Sequence, residues 1–286
     1  MYENFQLKTV DSKEKNIVGY HWKVFSPKYV VCLIHGIGEY AGRYDRVAGY
    51  MKKSQIAMLS MDLRGHGESF GTRGHCAPRK EVLKDVDALI EEGKSRYPGI
   101  PLILYGHSMG GNIALDYAKR GKNNHIPVGY VISAPWIELT RPVSKPLYIA
   151  LKVFSRITPS LTIDTGIDED KLGHPKMIGG YKADPLVHGR ISLLAAAEGF
   201  DIGNALADNT LKDNQGAAGT PMLLLHGEED QVCKITGSQK VAAYRNENFK
   251  FVQLPGLFHE IHNGGNENTG EEVIQKITQW ILALEG

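Results

Sequence analysis

The chain has 286 residues, enough for one large α/β domain with an insertion and too few for a comfortable pair of enzyme-sized domains, and 42% hydrophobic with 23% charged is the balance of a soluble globular protein. A net charge of +1 gives no electrostatic basis for a nucleic-acid partner. Three cysteines (Cys32, Cys76, Cys233) are an odd and sparse count that argues against a disulfide framework and fits a reducing compartment.

Short apolar runs alternate with longer amphipathic ones. The first 25 residues read as a β hairpin. Lys28 to His35 reads as a buried strand, followed by the loop Gly36-Ile37-Gly38 and a helix over Arg43 to Lys53. Gln55 to Met61 is the next strand, ending in the turn-rich Asp62-Leu63-Arg64-Gly65-His66-Gly67. Val82, Leu83, Val86, Leu89 and Ile90 recur at helical spacing within Arg79 to Tyr97. Pro101 to Tyr105 is a very short strand, Ser108 to Arg120 a helix, and Pro127 to Ser133 a strand. Pro221 to His226 and Phe249 to Leu254 are the last two strands. A helix over Thr269 to Leu284 closes the chain, with Val273, Ile274, Ile277, Trp280, Ile281 and Leu284 on one face.

This alternation predicts a mostly parallel sheet covered by helices on both faces, with reactive loops at the carboxyl ends of the strands. The rhythm breaks between about Trp136 and Asp208. Pro142 to Ile157 is amphipathic, and proline and glycine punctuate the rest of that stretch. The expected organisation is therefore a core of residues 1–136 and 209–286 and an inserted cap, 137–208, over the site.

Met1 to Val10 shows no secretory pattern, and no apolar run approaches the ~18 residues that span a bilayer. A cytoplasmic protein that can still touch a membrane surface is the expectation. No histidine spacing suggests a metal, and no cofactor is expected.

A serine hydroxyl is a weak nucleophile and needs a base beside it. It must also be presented sharply. Gly106-His107-Ser108-Met109-Gly110, placed between a strand and a helix, meets that need, because the glycines let strand and helix approach and the helix N-terminus favours negative charge. The oxyanion donors expected for acyl transfer are the N–H of Met109, which follows the nucleophile, and that of Ile37 on the loop after an early strand. His35 reads as structural.

The acid and base should follow later strands in the order Ser, acid, His. Asp230 and His259 fill those places. Glu228 and Glu229 compete for the acid role, and His262 for the base.

These segments resemble the monoacylglycerol lipase/lysophospholipase branch of the α/β-hydrolases. The resemblance runs through His35-Gly36-Ile37-Gly38-Glu39-Tyr40-Ala41-Gly42-Arg43-Tyr44, Asp62-Leu63-Arg64-Gly65-His66-Gly67-Glu68-Ser69 and Gly106-His107-Ser108-Met109-Gly110-Gly111. It continues through Asp184-Pro185-Leu186-Val187, His226-Gly227-Glu228-Glu229-Asp230 and His259-Glu260-Ile261-His262-Asn263. It implies an α/β-hydrolase fold with a short helical cap, metal-free hydrolysis of monoacyl esters, and catalysis by Ser108, Asp230 and His259. It further implies that Glu39, Arg43 and His262 meet the glycerol end, although a structural ion pair is an equal reading for Glu39 and Arg43. In one departure, Asn263 is followed by Gly264-Gly265 where many relatives have Asn-Glu.

An acyl chain needs an apolar tunnel, for which Leu147, Tyr148, Leu151, Phe154 and Ile157 are the candidates. The same face could dip into a lipid interface, with Lys145, Lys152 and Arg156 at headgroup level. The small lipid ester is the expected partner, for a monomer or homodimer. A lysophospholipase or general carboxylesterase uses the same machinery, and a non-catalytic binding protein on this fold is the alternative from another class. Dehalogenase or epoxide-hydrolase chemistry would want a carboxylate at position 108.

Overall fold

The computed structural model describes residues 2–8, 16–244 and 247–284. Its main sheet has eight strands: β1 (Glu3–Lys8), β2 (Asn16–Trp22), β3 (Tyr29–Ile34), β4 (Ile56–Met61), β5 (Leu102–His107), β6 (Gly129–Ser133), β9 (Met222–Gly227) and β10 (Phe249–Leu254). They lie in the order β1-β2-β4-β3-β5-β6-β9-β10. The β1–β2 hairpin and the β2–β4 pair are antiparallel, and the other pairs are parallel.

The continuous apolar runs of the central strands follow from burial on both faces. Along β3, Val30, Cys32 and Ile34 enter one core layer while Tyr29, Val31 and Leu33 enter the other. The first layer is closed by α2 (Arg79–Arg96), α3 (Met109–Arg120), α6 (Leu193–Ala207) and α7 (Ile235–Ala243). The second is closed by α1 (Asp45–Lys53) and α8 (Glu271–Leu282). On α8, Val273, Ile274, Ile277 and Ile281 are buried, with Trp280 and the following Leu284 packed at the margin.

Between β6 and β9 the chain forms α4 (Lys145–Ile157), a two-stranded ribbon of β7 (Thr162–Asp164) and β8 (Arg190–Ser192), a short α5 (Pro175–Ile178), and then α6. The sequence reading gave α6 no element. Ser192 caps it by accepting the Ala195 N–H, and it packs on both α3 and α4. Its alanine- and glycine-rich surface is buried nearly all round, so it shows no amphipathic period. Two edges also shift. The strand before the serine runs two residues past Tyr105, because Gly106 and His107 still pair with Ile132 and Ser133. The helix expected from Arg43 begins at Asp45, after a 3-10 turn over Ala41–Tyr44.

Candidate active site

Ser108 joins β5 to α3 with φ 56° and ψ −117°, a left-handed conformation rare outside glycine. The turn is this tight because both flanking glycines are sterically required. A Cβ on Gly106 would lie 2.3 Å from the Gly110 carbonyl oxygen, and one on Gly110 would lie 2.1 Å from that of Ile34. The serine is thereby lifted out of the strand at the start of α3.

Asp230 lies just past β9 and His259 just past β10. His259 Nδ1 is 2.8 Å from Asp230 Oδ2, and its Nε2 is 2.8 Å from Ser108 Oγ. With Nδ1–H donating to the carboxylate, Nε2 is free to accept the Ser108 hydroxyl proton. The other Asp230 oxygen accepts the N–H groups of Val232 (2.8 Å) and Cys233 (2.9 Å). Burial alone would raise the Asp230 carboxyl, but His259, His226 and their hydrogen bonds outweigh it and hold it well below the usual range. Burial opposes protonation of His259, and Asp230 overrides that and raises its pKa. Glu228 and Glu229 point to solvent, and His262 makes no bond to Ser108.

The Ile37 and Met109 N–H groups have no hydrogen-bond partner among the described residues. The Ile37 loop is pinned close to the serine: a Cβ on Gly36 would stand 3.1 Å from Ser108 Cβ. His35 holds the loop from the other side. Its Nδ1 donates to the Gly36 carbonyl (2.7 Å), its Nε2 accepts the Leu63 N–H (2.9 Å), and burial lowers its pKa to about 3, so it stays neutral.

A cavity of about 880 Å³ opens on Ser108 and Asp230. Ile37, Trp136, Leu147, Leu151 and Phe154 line it, and the ribbon and residues 164–168 complete its wall. Tyr148 and Ile157 do not line it: the Tyr148 hydroxyl pairs with Asp201, and Ile157 is exposed. Leu147, Ile149, Val153, Phe154, Ile157, Leu161 and Ile163 form an exposed apolar surface on α4 and the segment after it. No helix among the described residues is long and apolar enough to cross a membrane.

Glu39, Arg43 and His262 lie outside the cavity lining. Glu39 and Arg43 are paired at 2.9 Å, and Arg43 forks onto Glu260 at 2.8 and 3.0 Å. The sequence reading missed Glu260, although it directly follows His259. His262 is buried, stacked on Tyr44 and against the edge of His107, and burial lowers its pKa to about 3. The Gly264-Gly265 departure has a steric basis, since a Cβ at Gly264 would meet the Asn268 carbonyl oxygen at 1.9 Å.

Residues 172–188 are fastened to the loops around the serine. The Glu260 N–H donates to Leu172 O (2.6 Å), His174 N–H to Asn263 O (2.8 Å), and His188 N–H to Gly38 O (2.8 Å). Tyr40 Oη donates to Asp184 at 2.9 Å. Residues 140–171 are fastened elsewhere: the Leu193 N–H donates to Leu161 O (2.9 Å), the Thr140 N–H to Val232 O (3.0 Å), β7 pairs with β8, and α4 packs on α6.

A mostly parallel sheet that brings a serine, an imidazole and a carboxylate together from the ends of three strands is the α/β-hydrolase design. Residues 26–266 match the family described as serine aminopeptidase, S33, and the chain belongs to that family. It is 31% identical over 260 residues to a monoacylglycerol lipase of Mycolicibacterium smegmatis, covering 90% of this chain and 89% of the relative. It is 30% identical over 244 residues to a phospholipase of Bacillus subtilis, covering 85% and 92%. The structure of a soluble variant of Saccharomyces cerevisiae monoglyceride lipase, complexed with a substrate analogue, superposes with a TM-score of 0.83 at 25% identity, covering 98% of this chain and 95% of that one. The chain is a serine ester hydrolase.

Proposed function

We propose that the protein hydrolyses monoacylglycerols to a fatty acid and glycerol through an acyl-enzyme. The observation that carries this reading is the unbroken hydrogen-bond chain from Ser108 through His259 to Asp230 at an apolar cavity. His259 takes the Ser108 proton as Oγ attacks the ester carbonyl, then returns it to the leaving glycerol oxygen. Asp230 orients the imidazole and stabilises its charged form. Ile37 and Met109 donate to the oxyanion, each worth on the order of 3 kcal/mol in the transition state. Water then repeats the sequence on the acyl-enzyme.

The acyl chain lies along Leu147, Leu151 and Phe154 in a cap formed by residues 137–208. The exposed apolar face of α4 meets the lipid surface that delivers the substrate. His262, whose buried Nδ1 has no hydrogen-bond partner among the described residues, is the side chain we assign to the glycerol end, reached from beyond the cavity lining. The three unpaired, buried cysteines fit a cytoplasmic location.

A substrate panel tests the reading: monoacylglycerols of several chain lengths, lysophosphatidylcholine and short aryl esters. Monoacylglycerols should give the highest kcat/KM. Preference for lysophosphatidylcholine would overturn the glycerol assignment. Ser108→Ala should abolish both turnover and fluorophosphonate labelling, and persistent labelling would overturn the nucleophile.

A further inference from the structure

Arg43 sits where three pieces of chain meet. Its Nη1 is 2.9 Å from Glu39 Oε2 and 2.8 Å from Glu260 Oε1, and its Nη2 is 3.0 Å from Glu260 Oε2. The guanidinium lies 4.4 Å from the centroid of the Tyr181 ring, which comes from the segment between β6 and β9. All three charged side chains are largely buried.

Each carboxylate reaches onward into the reacting centre. Glu39 Oε1 accepts the Gly36 N–H at 2.6 Å and the Tyr44 hydroxyl at 2.9 Å, which sets the turn that aims the Ile37 N–H. Glu260 is covalently next to His259. Its Oε2 accepts Asn263 Nδ2 at 2.7 Å, and its own N–H is tied to Leu172 O. One planar fork therefore connects the loop carrying an oxyanion donor to the loop carrying the base. A guanidinium suits this task and an ammonium does not, because two carboxylates in fixed directions need several donors in one rigid plane.

We propose that Arg43 is a positioning residue that locks the Ile37 loop and the His259 loop into one unit through Glu39 and Glu260, with Tyr181 as its roof. The proposal rests on the reading of Ser108, His259 and Ile37 given above. It reassigns Glu39 and Arg43 from contacting the glycerol end to setting the geometry of acyl transfer for any ester. Burial works to raise both carboxyls; Arg43 overrides it at Glu260, which is held well below the usual range, while Glu39, also facing the Glu260 charge, stays raised.

The experiment compares Arg43→Gln, Arg43→Lys and Glu260→Gln with the native chain on a monoacylglycerol and on an aryl ester of the same acyl chain. Far-UV circular dichroism and fluorophosphonate labelling rate are read in parallel. The expected result is a fall in kcat of tenfold or more on both substrates, with KM changed less than twofold and labelling slowed by the same factor. Arg43→Lys should recover part of the loss, because it keeps one ion pair but loses the fork. If Arg43→Gln does not fold, Glu260→Gln, which keeps its volume and one acceptor, carries the test. A raised KM for the monoacylglycerol alone, with aryl-ester turnover and labelling unchanged, would overturn the proposal in favour of an alcohol subsite. Unchanged kinetics on both substrates would overturn it outright. Because the aryl ester reports the clamp, a failure of the monoacylglycerol reading is seen separately in the substrate panel.

Discussion

His226 Nε2 stands 3.1 Å from Asp230 Oδ2, the same oxygen that faces His259 Nδ1. The ring is oriented from its far side, where Nδ1 accepts the Ser238 hydroxyl at 2.7 Å. Because Nε2 faces two acceptors, the Asp230 carboxylate and the Cys233 carbonyl at 3.1 Å, it carries the hydrogen that both share. Hydrogen bonds to a charged group are worth about 1.5–3 kcal/mol. His226→Leu should therefore lower kcat/KM on a short aryl ester by roughly ten- to a hundredfold. An unchanged rate would show that His226 only packs.

The pH profile has a defined direction. The proposed mechanism requires neutral His259, whose pKa is raised, so the acidic limb of kcat/KM should lie above about 6.5. Stability runs oppositely for this group. A raised His favours the fold fully below about 6.5, and that gain is lost as pH climbs through its folded pKa. Asp230 is depressed, so its contribution is present above about 3.9 and disappears as pH falls through its folded pKa. Asp230→Asn should move the acidic limb down and cut kcat by about 10⁴. A native limb centred below 6.5 would contradict the geometry.

Ser108 sits at φ 56°, so the backbone at this position carries strain of order 1–3 kcal/mol. Both Ser108→Ala and Ser108→Gly should be inactive. The glycine variant should nevertheless unfold at the higher temperature, because only glycine occupies this region freely. Calorimetry that ranks the alanine variant higher would count against a strained turn.

Two glycines give opposite expectations under the same substitution. Gly110→Ala drives a Cβ into the Ile34 and His35 carbonyl oxygens, at 2.1 and 2.6 Å, and should destabilise by about 1–3 kcal/mol or more and abolish activity. Gly49, exposed inside α1, has open space around its would-be Cβ. Gly49→Ala should stabilise by about 0.5–1 kcal/mol in urea titration, with activity unchanged.

Ala150 and Leu151 line the cavity from α4. Ala150→Trp should shorten the usable acyl space, lowering kcat/KM for long-chain monoacylglycerols much more than for short ones. An equal loss across chain lengths would place the acyl chain elsewhere.

The sequence was most informative where one residue type is forced by chemistry or sterics. Ser108, Asp230 and His259 stand out because each follows a strand and the glycines around the serine have no substitute. The central strands were readable because burial on both faces leaves unbroken apolar runs. The sequence was silent where the signal is a contact between distant segments. Glu260 reads as one more polar residue after a histidine until the fold brings Arg43 to it, 217 positions away. Helix α6 was hidden for a related reason: burial on nearly every side erases the period that marks a surface helix.

The divided fastening of the chain between β6 and β9 has a consequence for how this protein can diversify. Residues 172–188 share main-chain bonds with the loops that carry Gly38, Glu260 and Asn263, so they vary only in step with those loops. Residues 140–171 are fastened mainly to β8 and α6. Descendants or designers can change the side chains this stretch turns to the cavity, altering which acids are accepted, without touching the main-chain bonds that hold the Gly38 and Glu260 loops.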